Sequence, residues 1–325
     1  MSSPARLAIC LLSAAVVQAG CGGASSAGTA ASSGGKGKIA FASKRNGNWG
    51  IYVINPNGRG LRNLSRSRGF EGKPSWSPDG KRIASATGWR IYVMNANGSG
   101  KRRLGPGGGQ PSWSPDGKRI VFEDGDIRVV SVNGSGQRKL PDGFYPSWSP
   151  DGSSIAFKDY GGISVVNPDG SGLRSLGEGY GRPSWSPDGR MIAFDSDGIR
   201  VMNPDGSGRR NLTRSGDRQP AWSPDGRRIA FARGGDGDEL RGDAAIYVVN
   251  ADGSGLRKLT RSKGVNLRPT WSPDGKKIAF VNGTYFGDKN TLWVMNTDGS
   301  RPRKLATGVE FGALPAWQPA FQRTQ

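Results

Sequence analysis

The sequence predicts an all-β protein, a seven-bladed β-propeller of four-stranded antiparallel blades closed by pairing of its N- and C-terminal strands. Three observations lead there. The phrase Trp-Ser-Pro-Asp-Gly recurs at Trp76, Trp113, Trp148, Trp185, Trp222 and Trp271 and returns in worn form as Trp317-Gln318-Pro319. Each copy is followed by strand-like runs at matching offsets, and the strand missing from the first unit is found at the other end of the chain.

The phrase is turn chemistry. Pro presets φ, Asp bonds back to the backbone, and Gly supplies the left-handed residue that closes a hairpin. The Trp ahead of it ends a first strand. An apolar triplet after it, such as Ile120-Val121-Phe122 or Ile229-Ala230-Phe231, reads as a second strand, and runs such as Ile91-Tyr92-Val93 as a third. A second turn, for example Asn167-Pro168-Asp169-Gly170, leads to a basic fourth strand such as Leu256-Arg257-Lys258-Leu259.

Ile39-Ala40-Phe41, Ile51-Tyr52-Val53 and Leu61-Arg62-Asn63-Leu64 are second, third and fourth strands without a first, which Leu314-Pro315-Ala316-Trp317 supplies. Closing the ring in this way removes the exposed sheet edges that invite aggregation. The Trp spacings are 37, 35, 37, 37, 49 and 46 residues, by subtraction of the positions above. The two long units therefore carry their excess in loops, at Arg233 to Ala245 and Asn282 to Asn290. Both loops fall between second and third strands, on the rim opposite the Pro-Asp-Gly turns.

Residues 1–20 read as an export signal, with Arg6 ahead of an uncharged, mostly apolar run from Leu7 to Val17 that is too short to span a membrane. Small Ala19 and Gly20 precede Cys21 in the manner of a bacterial lipobox, so Cys21 is the expected lipidation site. Gln18 departs from that pattern and leaves cleavage after Ala19, with secretion, as the alternative. Residues 21–37 are then a lipidated cysteine and a Gly/Ala/Ser tether, and residues 38–325 the propeller. Cys10 and Cys21 are the two cysteines. The mature chain has no second thiol for a disulfide, so its stability in an oxidising compartment must come from its sheet cores.

Units of the form Pro-Ser-Trp-Ser-Pro-Asp-Gly-Lys-Arg-Ile-Ala, then Ile-Tyr-Val-Met-Asn with Asn-Gly-Ser-Gly, span Pro74 to Gly100. They resemble the WD-like repeats of TolB-type β-propellers from Lys38 to Phe321. The resemblance implies a scaffold working outside the cytoplasm through its faces and central channel, and the chain is expected to be a monomer. The best-known member is six-bladed with a separate partner-binding N-terminal domain. Seven units and the lack of such a segment here mean that a Tol-system role does not carry over.

The chain has no histidine. Ser-His-Asp and Cys-His schemes, and zinc sites built on His or Cys, are excluded. No catalytic residue is expected, and the chain is predicted not to be an enzyme. The alternative is a carboxylate- or calcium-dependent enzyme or ligand sensor at the channel mouth. Asp236, Asp238 and Asp243 on a Gly-rich loop are the weak candidate for calcium, although their spacing does not fit the twelve-residue calcium loop. The turn aspartates have backbone reasons to be there.

Removing residues 1–20 removes only Arg6, leaving 45 basic minus 26 acidic residues, or +19. Such a field attracts polyanions. Export argues against nucleic acid and for an anionic envelope polymer or a protein. Much of the charge lies on fourth strands, as Lys101-Arg102-Arg103, Arg138-Lys139, Arg209-Arg210, Arg257-Lys258 and Arg303-Lys304. There it serves either a partner or protection against edge-to-edge pairing.

The residue before the Pro of each first strand is Lys73, Gln110, Tyr145, Arg182, Gln219, Arg268 and Leu314. Elsewhere the units follow a template; here they differ. First strands are innermost in a propeller, so the first six of these residues are predicted to ring one channel mouth and to suit an anionic or sugar-like ligand.

Overall fold

Seven four-stranded antiparallel sheets follow one another along the chain. The computed structural model describes residues 37–319 apart from 46, 66, 68–70, 106, 235–242, 262–263, 284–289 and 311–313. Cys21, the tether, Asp236 and Asp238 lie outside the described residues.

Blade 2 shows the pattern, running Glu71–Trp76, Arg82–Thr87, Arg90–Asn95 and Arg102–Gly105. Blade 1 is the composite one. Ala316–Trp317 pairs with Ile39–Arg45 through Ile39 opposite Trp317 and Ala40 opposite Ala316, and Asn48–Ile54 and Arg62–Asn63 complete the sheet. The second strands of the two long units end at Arg233 and Gly283, and the third strands begin at Ala245 and Thr291, so the excess residues fall in the expected loops.

The repeated phrase folds as its chemistry requires. In blade 2 the Gly80 amide donates to the Ser77 carbonyl at 2.8 Å, with Gly80 at φ 63°. Asp79 Oδ1 accepts from the Ser77 hydroxyl at 2.5 Å and from the Lys81 amide at 3.0 Å. These bonds hold the Asp79 carboxyl below the usual carboxylate range against the opposing effect of its partial burial. The phrase's aspartates are therefore committed to their turns.

The tryptophans join the blades. Trp113 Nε1 donates to the Ser75 carbonyl of the preceding blade at 3.0 Å, and Trp148 Nε1 to Ser112 at 3.2 Å. Trp185, Trp222 and Trp271 repeat the bond. Trp317 donates to Thr270 and Trp76 to Ala316, both at 3.1 Å, which carries the series through the closing blade. A buried indole must place its N–H, and here it does so on the innermost strand next door.

A second set of bonds runs around the outside. Arg138 Nη1 donates to the Asp169 carbonyl of the next blade at 2.8 Å, Arg257 Nη2 to Thr297 at 3.1 Å and Arg303 Nη1 to Asn57 at 2.9 Å. Arg62, Arg102, Arg174 and Arg210 make the corresponding bond. The sequence assigned Arg102, Arg138, Arg210, Arg257 and Arg303 to a partner or to edge protection. The structure adds a role that the sequence did not show, because each is a clasp that satisfies a turn carbonyl of its neighbour.

The cores lie between adjacent blades. Phe41, Phe122, Phe157, Phe194, Phe231 and Phe280 occupy one repeated position and are almost wholly buried. Ser85 stands there in blade 2, and its buried hydroxyl has no hydrogen-bond partner.

Candidate functional site: the channel mouth

The mouth begins with a backbone problem. Proline has no N–H to give a ladder, so inside a sheet it is tolerated at bulges. The pairing of first with second strand slips where each X-Pro step falls, between Gly72 and Ser75, Gly109 and Ser112, Phe144 and Ser147, Arg218 and Ala221, and Leu267 and Thr270. The residue before each Pro is driven into the left-handed region: Lys73 at φ 55°, Gln110 at 53°, Tyr145 at 56°, Gln219 at 60° and Arg268 at 58°. Non-glycine residues there cost on the order of 1–3 kcal/mol each, and bulges re-aim side chains. Blade 5 differs, because its first strand pairs only over Ser184–Trp185; Arg182 precedes the ladder and stays out of the left-handed region.

Five of the six predicted residues contact one another across blades, and Lys73 reaches a carboxylate of the next blade. Arg182 Nη2 donates to Gln110 Oε1, two blades away, and the guanidinium stacks 4.7 Å above the Tyr145 ring. The Arg268 amide donates to Gln219 Oε1 at 2.8 Å. Lys73 Nζ lies 3.9 Å from Glu123 Oε1. Burial pushes the Lys73 ammonium down to about 8; Glu123 opposes the fall, and Arg182 and Arg268 add to it. Burial, with repulsion from Arg268, pushes Arg182 down to about 10. Cations from blades 2, 5 and 7 thus share one field. Leu314, the seventh position, is half-buried.

Two carboxylates belong to the mouth and were missed. Glu123 Oε2 accepts the bulge amide of Tyr145 at 2.7 Å, and Asp195 Oδ2 that of Gln219 at 3.0 Å. Each comes from the second strand of the preceding blade and caps a donor that the proline bulge exposes. The sequence carried the signal. At the position after the repeated Phe the units have Ala42, Ala86, Glu123, Lys158, Asp195, Ala232 and Val281, so charge stands at a site otherwise filled by small apolar residues. The ring is therefore mixed, with its carboxylates occupied by backbone amides.

Asp195 is the strained member. Burial pushes it up to about 6, against the Gln219 amide, Arg218 and Arg182, and its Oδ1 has no hydrogen-bond partner. A carboxyl whose folded-state value lies above its unfolded value near 3.8 stabilises fully below that value and loses the contribution as pH rises through 6. Asp195→Asn keeps an acceptor for Gln219 and removes the penalty. The variant is expected to match wild type in urea melts at pH 4 and to exceed it at pH 7.5 by up to about 3 kcal/mol. Equal differences at both pH values would show that Asp195 is not charged at a cost.

Asp243 accepts the Gly264 amide on Oδ1 at 2.6 Å, which gives it a local role. Among the described residues no group of three or more His, Cys, Asp or Glu side chains is placed to hold a metal ion.

A ring of seven four-stranded antiparallel blades closed through its terminal strands defines a β-propeller. The chain belongs to the TolB beta propeller domain family, whose model matches residues 17–177 and 208–323. Among solved structures it is similar to TolB from Acinetobacter baumannii, at 20% identity and a TM-score of 0.56, over 88% of this chain and 67% of that one. It is also similar to the putative TolB from Agrobacterium tumefaciens, at 22% identity and TM-score 0.56, over 84% and 92% of the two chains. Oligogalacturonate lyase from Vibrio parahaemolyticus is similar at 15% identity and TM-score 0.60, over 83% and 86%. At these identities the likeness establishes the fold. Among curated protein sequences none matches this one.

Proposed function

We propose that this protein is a non-catalytic extracytoplasmic scaffold, held to the bacterial membrane by a lipid on Cys21, that binds a protein or an anionic envelope polymer through its rim and channel mouth. The observation carrying this reading is that five of the six mouth residues sit in the left-handed region, each at the proline bulge of an inner strand. Strain of that kind is kept where a geometry is used. The TolB structures support a scaffold, whereas the lyase shows that the same fold also hosts enzymes. A carboxylate-based activity or a ligand sensor is the second reading, and Asp195 favours it, as a half-buried acid near 6 whose Oδ1 has no hydrogen-bond partner.

The test compares charge at the mouth with charge elsewhere. Arg182→Gln with Arg268→Gln is expected to weaken binding of a partner captured by crosslinking on intact cells at least tenfold. Lys258→Gln with Lys304→Gln removes the same charge from exposed outer strands and spares the arginine clasps. It should change affinity less than about twofold, and binding should weaken with salt. Equal losses in both pairs would make the attraction diffuse and the mouth no site.

A further inference from the structure

The exposed aromatic residues are gathered on one rim. Among the described residues, Trp89 is 82% exposed, Tyr160 81% and Tyr180 69%. Trp89 and Tyr160 lie in loops between second and third strands, and Tyr180 in the connection from blade 4 to blade 5. Both kinds of connection flank the starts of first strands, where the mouth is. The large exposed apolar residues on the opposite rim, Leu61, Leu173 and Leu256, are aliphatic.

These aromatics do little for folding. Trp89 occupies a left-handed hairpin position at φ 61°, beside Gly88 at φ 52°, where Gly or Asn would sit without strain. Its ring gains almost no burial in return. Tyr160 touches one aromatic neighbour, and that contact starts a path inward. The Tyr160 and Phe144 rings meet edge to face at 6.0 Å, Phe144 and Tyr145 at 6.4 Å, and Tyr145 lies under the Arg182 guanidinium. Three rings therefore lead from the rim of blade 4 to the cations of the mouth.

We infer that this path and the mouth form one track for an acidic glycan, a chain of sugar rings bearing carboxylates. The inference rests on the mouth being a binding site. A pyranose ring offers a C–H face that packs on an aromatic ring, and a uronate adds on the same unit the carboxylate that a guanidinium takes. A polyphosphate has no face for the rings, and a neutral glycan has no charge for Arg182 and Lys73. One of the amides fits as well. Gln110 is buried against Arg182, whereas Gln219 spends its carbonyl oxygen on the Arg268 amide, so what it still offers a ligand is N–H, a donor for carboxylate or hydroxyl oxygen. The net charge of the mature chain draws such a polymer to the surface.

The probes are alginate oligomers, dextran oligomers and polyglutamate, titrated against the full chain at low salt. Alginate should bind and dextran should not. Tyr160→Ala, a change at an exposed ring that leaves the core intact, should weaken alginate about tenfold. Arg182→Gln with Arg268→Gln should weaken it further, and Lys258→Gln with Lys304→Gln should leave it within about twofold. If polyglutamate binds as well as alginate and depends on Arg182 and Arg268 but not on Tyr160, the glycan assignment is overturned and the mouth stands as a site for acidic protein segments. If alginate does not bind, the glycan is overturned alone, since the mouth is tested separately by its protein partners. If no mouth variant affects any polymer and no crosslinked partner is lost, both fall.

Discussion

Deleting Leu314 to Gln325 is expected to unfold the protein, or to lower its melting temperature by far more than any point substitution. The deletion removes the inner strand of blade 1. It exposes Ile39 and Ala40, which pair with Trp317 and Ala316 and are fully buried in the intact ring. Trp317 alone, 8% exposed, hides about 150–250 Å² from water, worth roughly 4–6 kcal/mol as an upper bound. Three links to neighbouring blades go with it, because the Trp317 indole no longer donates to Thr270, the Trp76 indole loses the Ala316 carbonyl and Gln318 Nε2 no longer reaches Gly80 at 2.8 Å. Against a typical folding free energy of 5–15 kcal/mol this loss is decisive. Circular dichroism melts of the truncated and full chains check it, and coincident transitions would mean that the ring is not closed through Trp317.

How much of this was legible depends on whether a feature lies within a blade or between blades. The Trp-Ser-Pro-Asp-Gly turn, the Ile-Ala-Phe strand and the missing first strand are local and periodic, so the sequence states them directly. The Lys73 to Arg268 ring was visible because a proline fixes the offset at which a side chain leaves the sheet. Other features depend on which atom of one blade faces which atom of the next. The indole bonds, the capping of Tyr145 by Glu123 and the arginine clasps are of this kind. Their signals are present, such as the arginine two residues after the second turn glycine in Gly100-Lys101-Arg102 and Gly136-Gln137-Arg138, but a periodic arginine on an edge strand reads equally well as protection from aggregation. Only the position of the neighbouring carbonyl decides.

The clasps also change what the net charge means. Seven arginines are turned toward carbonyls of adjacent blades, so a large part of the positive excess serves closure of the ring. Arg182 at the mouth is set apart by its surroundings. Among the described residues no carboxylate forms an ion pair with Arg182; its guanidinium meets an amide oxygen and a ring.

Arg233 shows the opposite arrangement on the same rim, and Asp217→Ala is expected to cost about 3–5 kcal/mol because it breaks that arrangement from one side. Asp217 and Arg233 stand directly opposite each other on paired strands, and the carboxylate takes Nε and Nη2 at 2.6 Å each. The Asp217 side chain is wholly buried and the Arg233 side chain 13% exposed, with its guanidinium 4.6 Å above the Tyr247 ring and 5.5 Å from Phe231. Hydrogen bonding to Asp217 raises the affinity of Arg233 for its proton, and even without that partner a guanidinium is too basic to shed its charge. The single variant leaves a cation desolvated among aromatic rings. Replacing both residues, Asp217→Ala with Arg233→Met, removes the charge together with its counterion and should recover most of the loss, since an apolar pair of similar shape satisfies a buried site about as well as an ion pair. Urea denaturation of wild type and the three variants gives the coupling energy. A single Asp217 variant within about 1 kcal/mol of wild type would show that water reaches Arg233, and a double variant as unstable as the single would show that the pair contributes packing and not charge.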